Sequence, residues 1–137
     1  MTRHAVEEPA AAETGTGTPA FRGGRNIALK IPAHRWDATV AFYRDVLRLP
    51  ERPDLAPDLA FVFGDSCLWL DRVPQLGQAE VWLQVETDDI DAADRHLAAA
   101  GAPRCDGIEA LPEGAAAFWV STPAGVVHLV SSPEDGA

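Results

Sequence analysis

Two residues, Glu80 and His128, are the strongest candidates for chemistry in this sequence. Glu80 opens the alternating segment 80–86 (EVWLQVE), and His128 lies within the apolar segment 125–130 (GVVHLV). A carboxylate and an imidazole can act as an acid–base pair, and both are good ligands for a divalent metal ion. A single histidine in an apolar strand is also compatible with a purely structural role in the core. The elements that carry the two residues therefore have to be established first.

The first half of the chain has the pattern strand, helix, strand, strand. Residues 26–32 alternate with a period of two, which is typical of a half-buried strand. Two further strands are predicted over 59–64 and 67–73, joined by a tight turn. Between them, residues 35–50 have helical spacing and predict an amphipathic helix whose buried face consists of Trp36, Val40, Tyr43 and Leu47.

The second half repeats this order. Strand 80–86 is followed by helix 87–101, for which Asp88 is the candidate N-cap, and then by strands 116–120 and 125–130. The first strands of the two halves are separated by the same number of residues as the first apolar residues of the two helices. The predicted apolar face of the second helix consists of Ile90, Ala93, Leu97 and Ala100.

This repeat predicts an α+β fold with two tandem β-α-β-β-β modules, residues 26–75 and 79–131, in one domain over 25–133. Each module has one helix, which can cover only one face of its strands. The predicted mixed sheet is therefore cupped, with the helices on its outer face and a concave, partly open inner face. Residues 1–24 and 134–137 show no apolar periodicity, and we expect them to be disordered tails.

Three segments resemble the vicinal-oxygen-chelate superfamily, which contains glyoxalases, bleomycin-resistance proteins and extradiol dioxygenases. They are 39–50 (TVAFYRDVLRLP), 85–103 (VETDDIDAADRHLAAAGAP) and 121–130 (STPAGVVHLV), and the resemblance extends over residues 26–131. It implies the same paired modules and cupped sheet as the repeat. Because one fold hosts many functions, the resemblance leaves the activity open.

The resemblance implies metal ligands on the first and last strands of each module, at the positions of Asn26, Trp69, Glu80 and His128. Glu80 and His128 are good ligands, Asn26 offers only a weakly binding amide oxygen, and Trp69 cannot bind a metal. A catalytic divalent site needs about three protein ligands. We therefore favour no cofactor. A Zn, Mn, Ni or Fe ion, if bound, would be held by Glu80, His128 and Asn26.

Tryptophan and polar side chains dominate the face that the alternation and the resemblance assign to the inside of the cup. An apolar pocket with a few polar anchors is typical of small-molecule sites, and tryptophan faces beside carboxylates suit a flat or cationic ligand. The alternative is that the tryptophans pack against each other and fill the cup. The predicted ligand-binding residues are Asn26, Trp69, Glu80, Trp82, Gln84 and His128.

Three functions remain open from the sequence. The first is a metal-free binding protein, similar to the bleomycin-resistance branch, that sequesters an aromatic or cationic compound such as an antibiotic. The second is a metal-dependent lyase, isomerase or dioxygenase of the vicinal-oxygen-chelate type. The third is a metal-free enzyme in which Glu80 and His128 are the catalytic acid–base pair.

The composition restricts the partners. A net charge of −10 disfavours nucleic acid. No run of apolar residues is long enough to span a membrane, and no signal peptide is evident, so a cytoplasmic location is expected. A small-molecule ligand is the expected partner, and unpaired module edges favour a homodimer. The many arginines beside one lysine, Lys30, are typical of a GC-rich bacterial genome.

The remaining titratable candidates have structural interpretations. Cys67 and Cys105 are too few for a disulfide framework, and we expect them to stay reduced. Cys67 is expected to be a small buried residue. His34 follows the first strand and His96 lies on the polar side of the second helix, so both are expected at the surface, and His4 lies in the predicted tail.

Overall fold

Two antiparallel strands, β2 (Asn26–Ile31) and β5 (Glu80–Thr87), lie side by side in the middle of a seven-stranded mixed sheet. The computed structural model describes residues 18–133. Each of these strands opens one of the predicted modules, so the modules are joined edge to edge within one chain. The order strand, helix, strand, strand occurs twice, which confirms the predicted α+β fold with tandem modules.

The first module continues from β2 through helix α1 (Ala33–Ala41) to the hairpin of β3 (Leu59–Phe63) and β4 (Ser66–Arg72). Strand β4 returns to pair in parallel with β2. A helical crossover between β2 and the hairpin is what a parallel pairing requires.

The second module repeats this arrangement. Helix α2 (Ile90–Ala99) follows β5, and β6 (Ala117–Ser121) and β7 (Val127–Ser131) form the hairpin, with β7 parallel to β5. The observed strands begin and end within two residues of the segments predicted from alternation.

The predicted β-α-β-β-β module has four strands, and in each module the one between the helix and the hairpin is reduced to a single bridge. Glu51 pairs with Phe61 beside β3, and Arg104 pairs with Val120 beside β6. These segments partly cover the outer edges of the sheet, and the inner edges of the modules pair with each other. The unpaired module edges that favoured a homodimer are therefore occupied within the chain, and the homodimer stays a prediction.

Helix α1 packs its predicted apolar face against the sheet, apart from its last residue. Trp36, Val40 and Tyr43 contact the core around Phe61, whereas Leu47 is exposed. The helix continues as a π-helical turn over Phe42–Val46, which ends with the Leu47 amide donating to the Phe42 carbonyl at 2.9 Å. One extra residue in a turn rotates the following side chains out of phase, so Leu47 leaves the buried face.

Helix α2 is capped and ended by local chemistry. Its N-cap is Asp89, whose carboxylate accepts from the Ala92 amide at 3.0 Å, so the predicted cap at Asp88 is wrong by one residue. Gly101 has a φ of +82°, which glycine adopts at no steric cost and which stops the helix as predicted. Three residues of its predicted apolar face pack on the sheet, namely Ile90, Ala93 and Leu97.

The predicted N-terminal tail extends too far. Residues Phe21–Gly23 form strand β1, which pairs antiparallel with the last residues of β5. Arg22 forms an ion pair with Glu86 of β5 at 3.4 Å. Three residues are too few for alternation to be recognised in the sequence. The predicted tails over 1–17 and 134–137, with His4, lie outside the described residues. In the described part of the chain, neither helix is long and apolar enough to cross a membrane.

Candidate functional site

Helices α1 and α2 cover one face of the sheet, which we call the helix face. The other face carries no α-helix of residues 18–133, and we call it the open face. Paired residues of neighbouring strands point to the same side of a sheet. Ala28 of β2 pairs with both Trp69 of β4 and Trp82 of β5, and Lys30 pairs with Glu80. The register thus brings five of the six predicted ligand-binding residues to the open face, namely Asn26, Trp69, Glu80, Trp82 and Gln84.

His128 lies on the opposite side of the sheet, so its predicted place beside Glu80 in the cup is wrong. It pairs with Leu83 and Val120, and Val120 packs against α2 on the helix face. Its neighbours Val127 and Leu129 point to the open face and pack with Trp82. The His128 ring nitrogen Nδ1 lies 3.1 Å from the Val126 carbonyl. Glu80 and His128 therefore cannot form an acid–base pair in this fold.

Half of the open face, the closed half, is filled by its own side chains. The indole rings of Trp82 and Trp119 meet edge to face at 5.3 Å, and each residue is only 6% exposed. Val127 packs beside them, and Cys105 and Leu111 of the loop between α2 and β6 cover the cluster. Here the alternative of mutually packed tryptophans holds, because both rings are enclosed.

The loop over the closed half is anchored by polar contacts. Asp106 accepts from the Trp119 amide at 3.1 Å and is also bound by Arg104. The hydrogen bond from Arg104 lowers the pKa of the Asp106 carboxyl. Burial raises the pKa of the neighbouring Cys105 thiol, so this cysteine is not an activated nucleophile.

Lys30 is a buried cation at the border of the closed half. Its Nζ donates to Asp71 at 2.6 Å and to Glu109 of the covering loop at 2.7 Å, and it lies 4.2 Å from the centroid of a Trp82 ring. Only 2% of its side chain is exposed. Lys30 is not among the predicted site residues, although its alternation with Asn26 and Ala28 in the sequence places it on the same face as Asn26.

Glu80 has a local partner rather than a ligand. Its carboxylate accepts from the Trp82 indole Nε1–H, two residues further along β5, at 2.8 Å. Residues two apart on a strand point to the same face, which allows this contact. Glu80 is exposed, and the hydrogen bond satisfies the polar atom of an otherwise buried indole.

A hydrogen-bond network crosses the open face next to the closed half. Asn26 Oδ1 accepts from the Trp69 indole Nε1–H at 2.7 Å, and Asn26 Nδ2 donates to Gln84 Oε1 at 3.0 Å. Gln84 Oε1 also accepts from the backbone amides of Arg25 and Asn26, and Gln84 Nε2 donates to Ser131 Oγ. Gln84 is buried, so the network links the indole of Trp69 through Asn26 to a fixed side chain of the sheet.

Gly24 makes room for this network. A Cβ atom at this position would lie 2.2 Å from Gln84 Oε1, which is far closer than non-bonded atoms approach. The Gly24 amide donates to the Gln84 carbonyl at 2.8 Å. The close approach of the Gln84 side chain to the backbone of residue 24 therefore favours glycine.

The other half of the open face carries a cleft of about 400 Å³ over the first module. Its apolar wall consists of Leu55, Val62, Cys67 and Trp69. Asn26 lines it as well, together with the two arginines Arg25 and Arg52 and one carboxylate, Asp65. Cys67 is buried, as predicted, and at the same time contributes to the lining of the cleft. We call this the first-module cleft.

The residues considered as metal ligands do not converge. His128 lies on the helix face, and the Glu80 carboxylate accepts from Trp82. Asn26 Oδ1 accepts from the Trp69 indole. Within residues 18–133, no three His, Cys, Asp or Glu side chains come together as a metal site would require. The donor set Glu80, His128 and Asn26 therefore does not fit a metal ion. His34 and His96 are exposed, as predicted.

A glyoxalase-like domain family matches residues 26–131. No curated protein sequence shows significant similarity to the chain. Several solved structures share the fold. The chain is similar to the Mn(II)-bound glyoxalase from Novosphingobium aromaticivorans, with 21% identity, 82% of this chain and 41% of that chain covered, and a TM-score of 0.53. This chain therefore spans about two fifths of that glyoxalase.

Two further structures match over nearly their whole length. A hypothetical protein from Bacillus halodurans C-125 has 12% identity and a TM-score of 0.59, with 86% of this chain and 98% of that chain covered. A glyoxalase/bleomycin resistance protein/dioxygenase superfamily member from Vibrio splendidus 12B01 has 19% identity and a TM-score of 0.52, with 83% and 100% covered. These similarities concern the fold alone. Since the family match runs from the first strand of the first module to the last strand of the second, this chain belongs to the glyoxalase-like domain family of the vicinal-oxygen-chelate superfamily.

Proposed function

We propose that the protein binds a small planar organic molecule in the first-module cleft, without a metal ion. The observation that carries this proposal is the difference between the two halves of the open face. The tryptophans of the closed half are buried against each other, whereas Trp69 borders a cleft of about 400 Å³. Volumes of this order are typical of small-molecule sites.

The lining of the cleft supports a flat, largely apolar ligand. Trp69 donates its indole N–H to Asn26, so its one polar group is already satisfied and its ring offers apolar area. The network below Trp69 holds the ring in place before any ligand arrives. Such preorganisation reduces the ordering entropy that binding would otherwise cost. We assign the ligand contact to Trp69 and not to Trp82, which lies in the closed half.

Binding without catalysis is favoured over the two enzyme hypotheses by the placement of the donors. The acid–base hypothesis needs Glu80 and His128 on one face, and they lie on opposite faces. The metal-dependent hypothesis needs three converging ligands, and the candidate set does not converge. Other members of the fold do bind metal, as the Mn(II)-bound glyoxalase shows. Sequestration of an aromatic antibiotic is compatible with this cleft and remains part of the proposal.

The proposal can be tested with naphthalenemethanol, an uncharged bicyclic probe, by calorimetric titration of the full chain after treatment with a chelator. We expect binding that does not change when Mn²⁺ is added. Val62→Trp should abolish it, because Val62 is half-exposed and lines the cleft. The matched control is Val81→Trp, since Val81 is similarly exposed but pairs with Leu29 on the helix face.

The two variants carry the same substitution on opposite faces of the sheet, so a general effect of an added tryptophan would appear in both. Loss of binding in Val62→Trp alone supports the cleft. Equal affinity of both variants and the natural protein would refute the location. Binding that appears only after Mn²⁺ is added would refute the metal-free proposal.

A further inference from the structure

We propose that the first-module cleft selects an aromatic carboxylate, and that Arg25 is the residue that binds its carboxylate group. This inference rests on the proposed function, because it assigns a ligand class to the same cleft. The proposed ligand is an anion, whereas the overall composition favours a cationic ligand. The chain has a net charge of −10, yet of residues 18–133 two arginines and one acidic residue, Asp65, line the cleft.

The two arginines differ in what already binds them. Arg52 Nε and Nη2 donate to the two carboxylate oxygens of Asp54 at 3.0 and 2.8 Å. This bidentate pair occupies the guanidinium of Arg52 and largely neutralises its charge. Among residues 18–133, the side chain of Arg25 makes no hydrogen bond or ion pair. Arg25 is therefore the cation at the cleft that is available to a ligand.

The backbone of Arg25 is held at the edge of the cleft from both sides. Its amide donates to Gln84 Oε1 at 3.1 Å, and its carbonyl accepts from the Cys67 amide at 2.8 Å. Cys67 and Gln84 are both buried. The root of the arginine side chain is thus fixed between two strands, while its planar guanidinium can pair with a carboxylate through two parallel hydrogen bonds.

The neighbours of Arg25 complete the recognition. Trp69 offers an apolar wall for an aromatic ring. Asn26 also lines the cleft and lies on the same side of the sheet as Trp69. A cationic ligand would instead meet the guanidinium of Arg25. The sequence pattern favoured an aromatic or cationic compound. The cleft retains the aromatic part of that expectation and replaces the cation by an organic anion.

Three probes that share one naphthalene ring test the selectivity of the natural full chain: naphthoate, naphthalenemethanol and naphthylmethylammonium. We expect naphthoate to bind about tenfold more tightly than the alcohol, as one charge-assisted hydrogen-bonding pair provides, and the ammonium compound to bind most weakly. Arg25→Gln should remove the preference, so that naphthoate and the alcohol bind the variant with equal affinity. An unchanged far-ultraviolet circular dichroism spectrum shows that the variant is folded.

The matched control is Arg22→Gln, which changes the net charge by the same amount. Arg22 lies on β1 and forms ion pairs with Glu86 and Asp88 outside the cleft. If both variants lose the preference equally, the selectivity comes from the general charge, and the inference is overturned. Equal affinity of the natural chain for all three probes would overturn the inference and leave the proposed function standing. If none of the three binds, the proposed function itself fails.

Discussion

Removing the charge of Lys30 should destabilise the protein less than removing the two carboxylates that bind it. The physical reason lies in unequal burial. The Lys30 side chain is 2% exposed, whereas those of Asp71 and Glu109 are 32% and 47% exposed. After Lys30→Met, the two carboxylates can be solvated by water. After Asp71→Asn with Glu109→Gln, the ammonium stays buried without a counter-charge.

The magnitudes follow from these exposures. Lys30→Met loses two ion pairs to half-exposed carboxylates, about 0.2–1 kcal/mol each, and a cation–π contact of about 2 kcal/mol. It also removes the desolvation cost of a buried ammonium, which amounts to several kcal/mol. The terms nearly cancel, and we expect a change in the free energy of unfolding within about 1.5 kcal/mol. The double variant should lose about 3–5 kcal/mol, as expected for a buried charge without its partner.

Urea unfolding at neutral pH measures both changes from the transition midpoints, with an unchanged dependence on urea as the check that unfolding stays two-state. Adding Lys30→Met to the double variant provides the control. It should restore most of the lost stability, because the uncompensated charge is gone. The reasoning is refuted if Lys30→Met destabilises as much as the double variant, or if the triple variant shows no recovery.

Two further predictions concern single positions. Gly24→Ala should lower the free energy of unfolding by about 1–3 kcal/mol, because the added Cβ overlaps with Gln84. Gly23→Ala should be nearly neutral, because nothing lies within 4 Å of the added Cβ. Equal effects of the two substitutions in urea unfolding would contradict the close approach of Gln84 to residue 24. Arg104 lowers the pKa of Asp106. The contribution of the ionised Asp106 to the free energy of unfolding is therefore fully present above the unfolded-state pKa of about 3.9. It is lost as the pH falls through the lower folded-state pKa. Asp106→Asn should therefore destabilise by up to about 1 kcal/mol at neutral pH, since the group is half-exposed, and this difference should shrink on acidification; a difference that grows in acid would contradict the assignment.

The fold could be predicted because the same pattern of strands and one helix occurs twice in the sequence. Alternation in segments such as 80–86 and the equal spacing of the two halves fix the strands, the helices and the tandem order. The end of the N-terminal tail could not be placed, since three residues of β1 are too few to show a period. The π-helical turn at Phe42–Val46 also leaves no recognisable pattern, although it decides that Leu47 is exposed.

The candidate site was harder to predict because the side-chain face of a strand is ambiguous when polar and apolar residues do not alternate along it. In Val127–Ser131, nothing but packing against α2 distinguishes His128 and Val130 from Val127 and Leu129. The strand β2 was different, because polar Asn26 and Lys30 alternate with apolar residues and define the open face. The loop that covers Trp82 and Trp119 has no periodicity, so the closed half could be recognised only in three dimensions.

We propose that a planar ligand binds beside Trp69 and not in the closed half. The four indole N–H groups of Trp36, Trp69, Trp82 and Trp119 report on this directly. In a nitrogen–proton correlation spectrum of isotope-labelled protein titrated with naphthalenemethanol, the Trp69 indole signal should shift in proportion to occupancy. The other three should stay in place. Shifts of the Trp82 and Trp119 signals with an unmoved Trp69 signal would contradict the account.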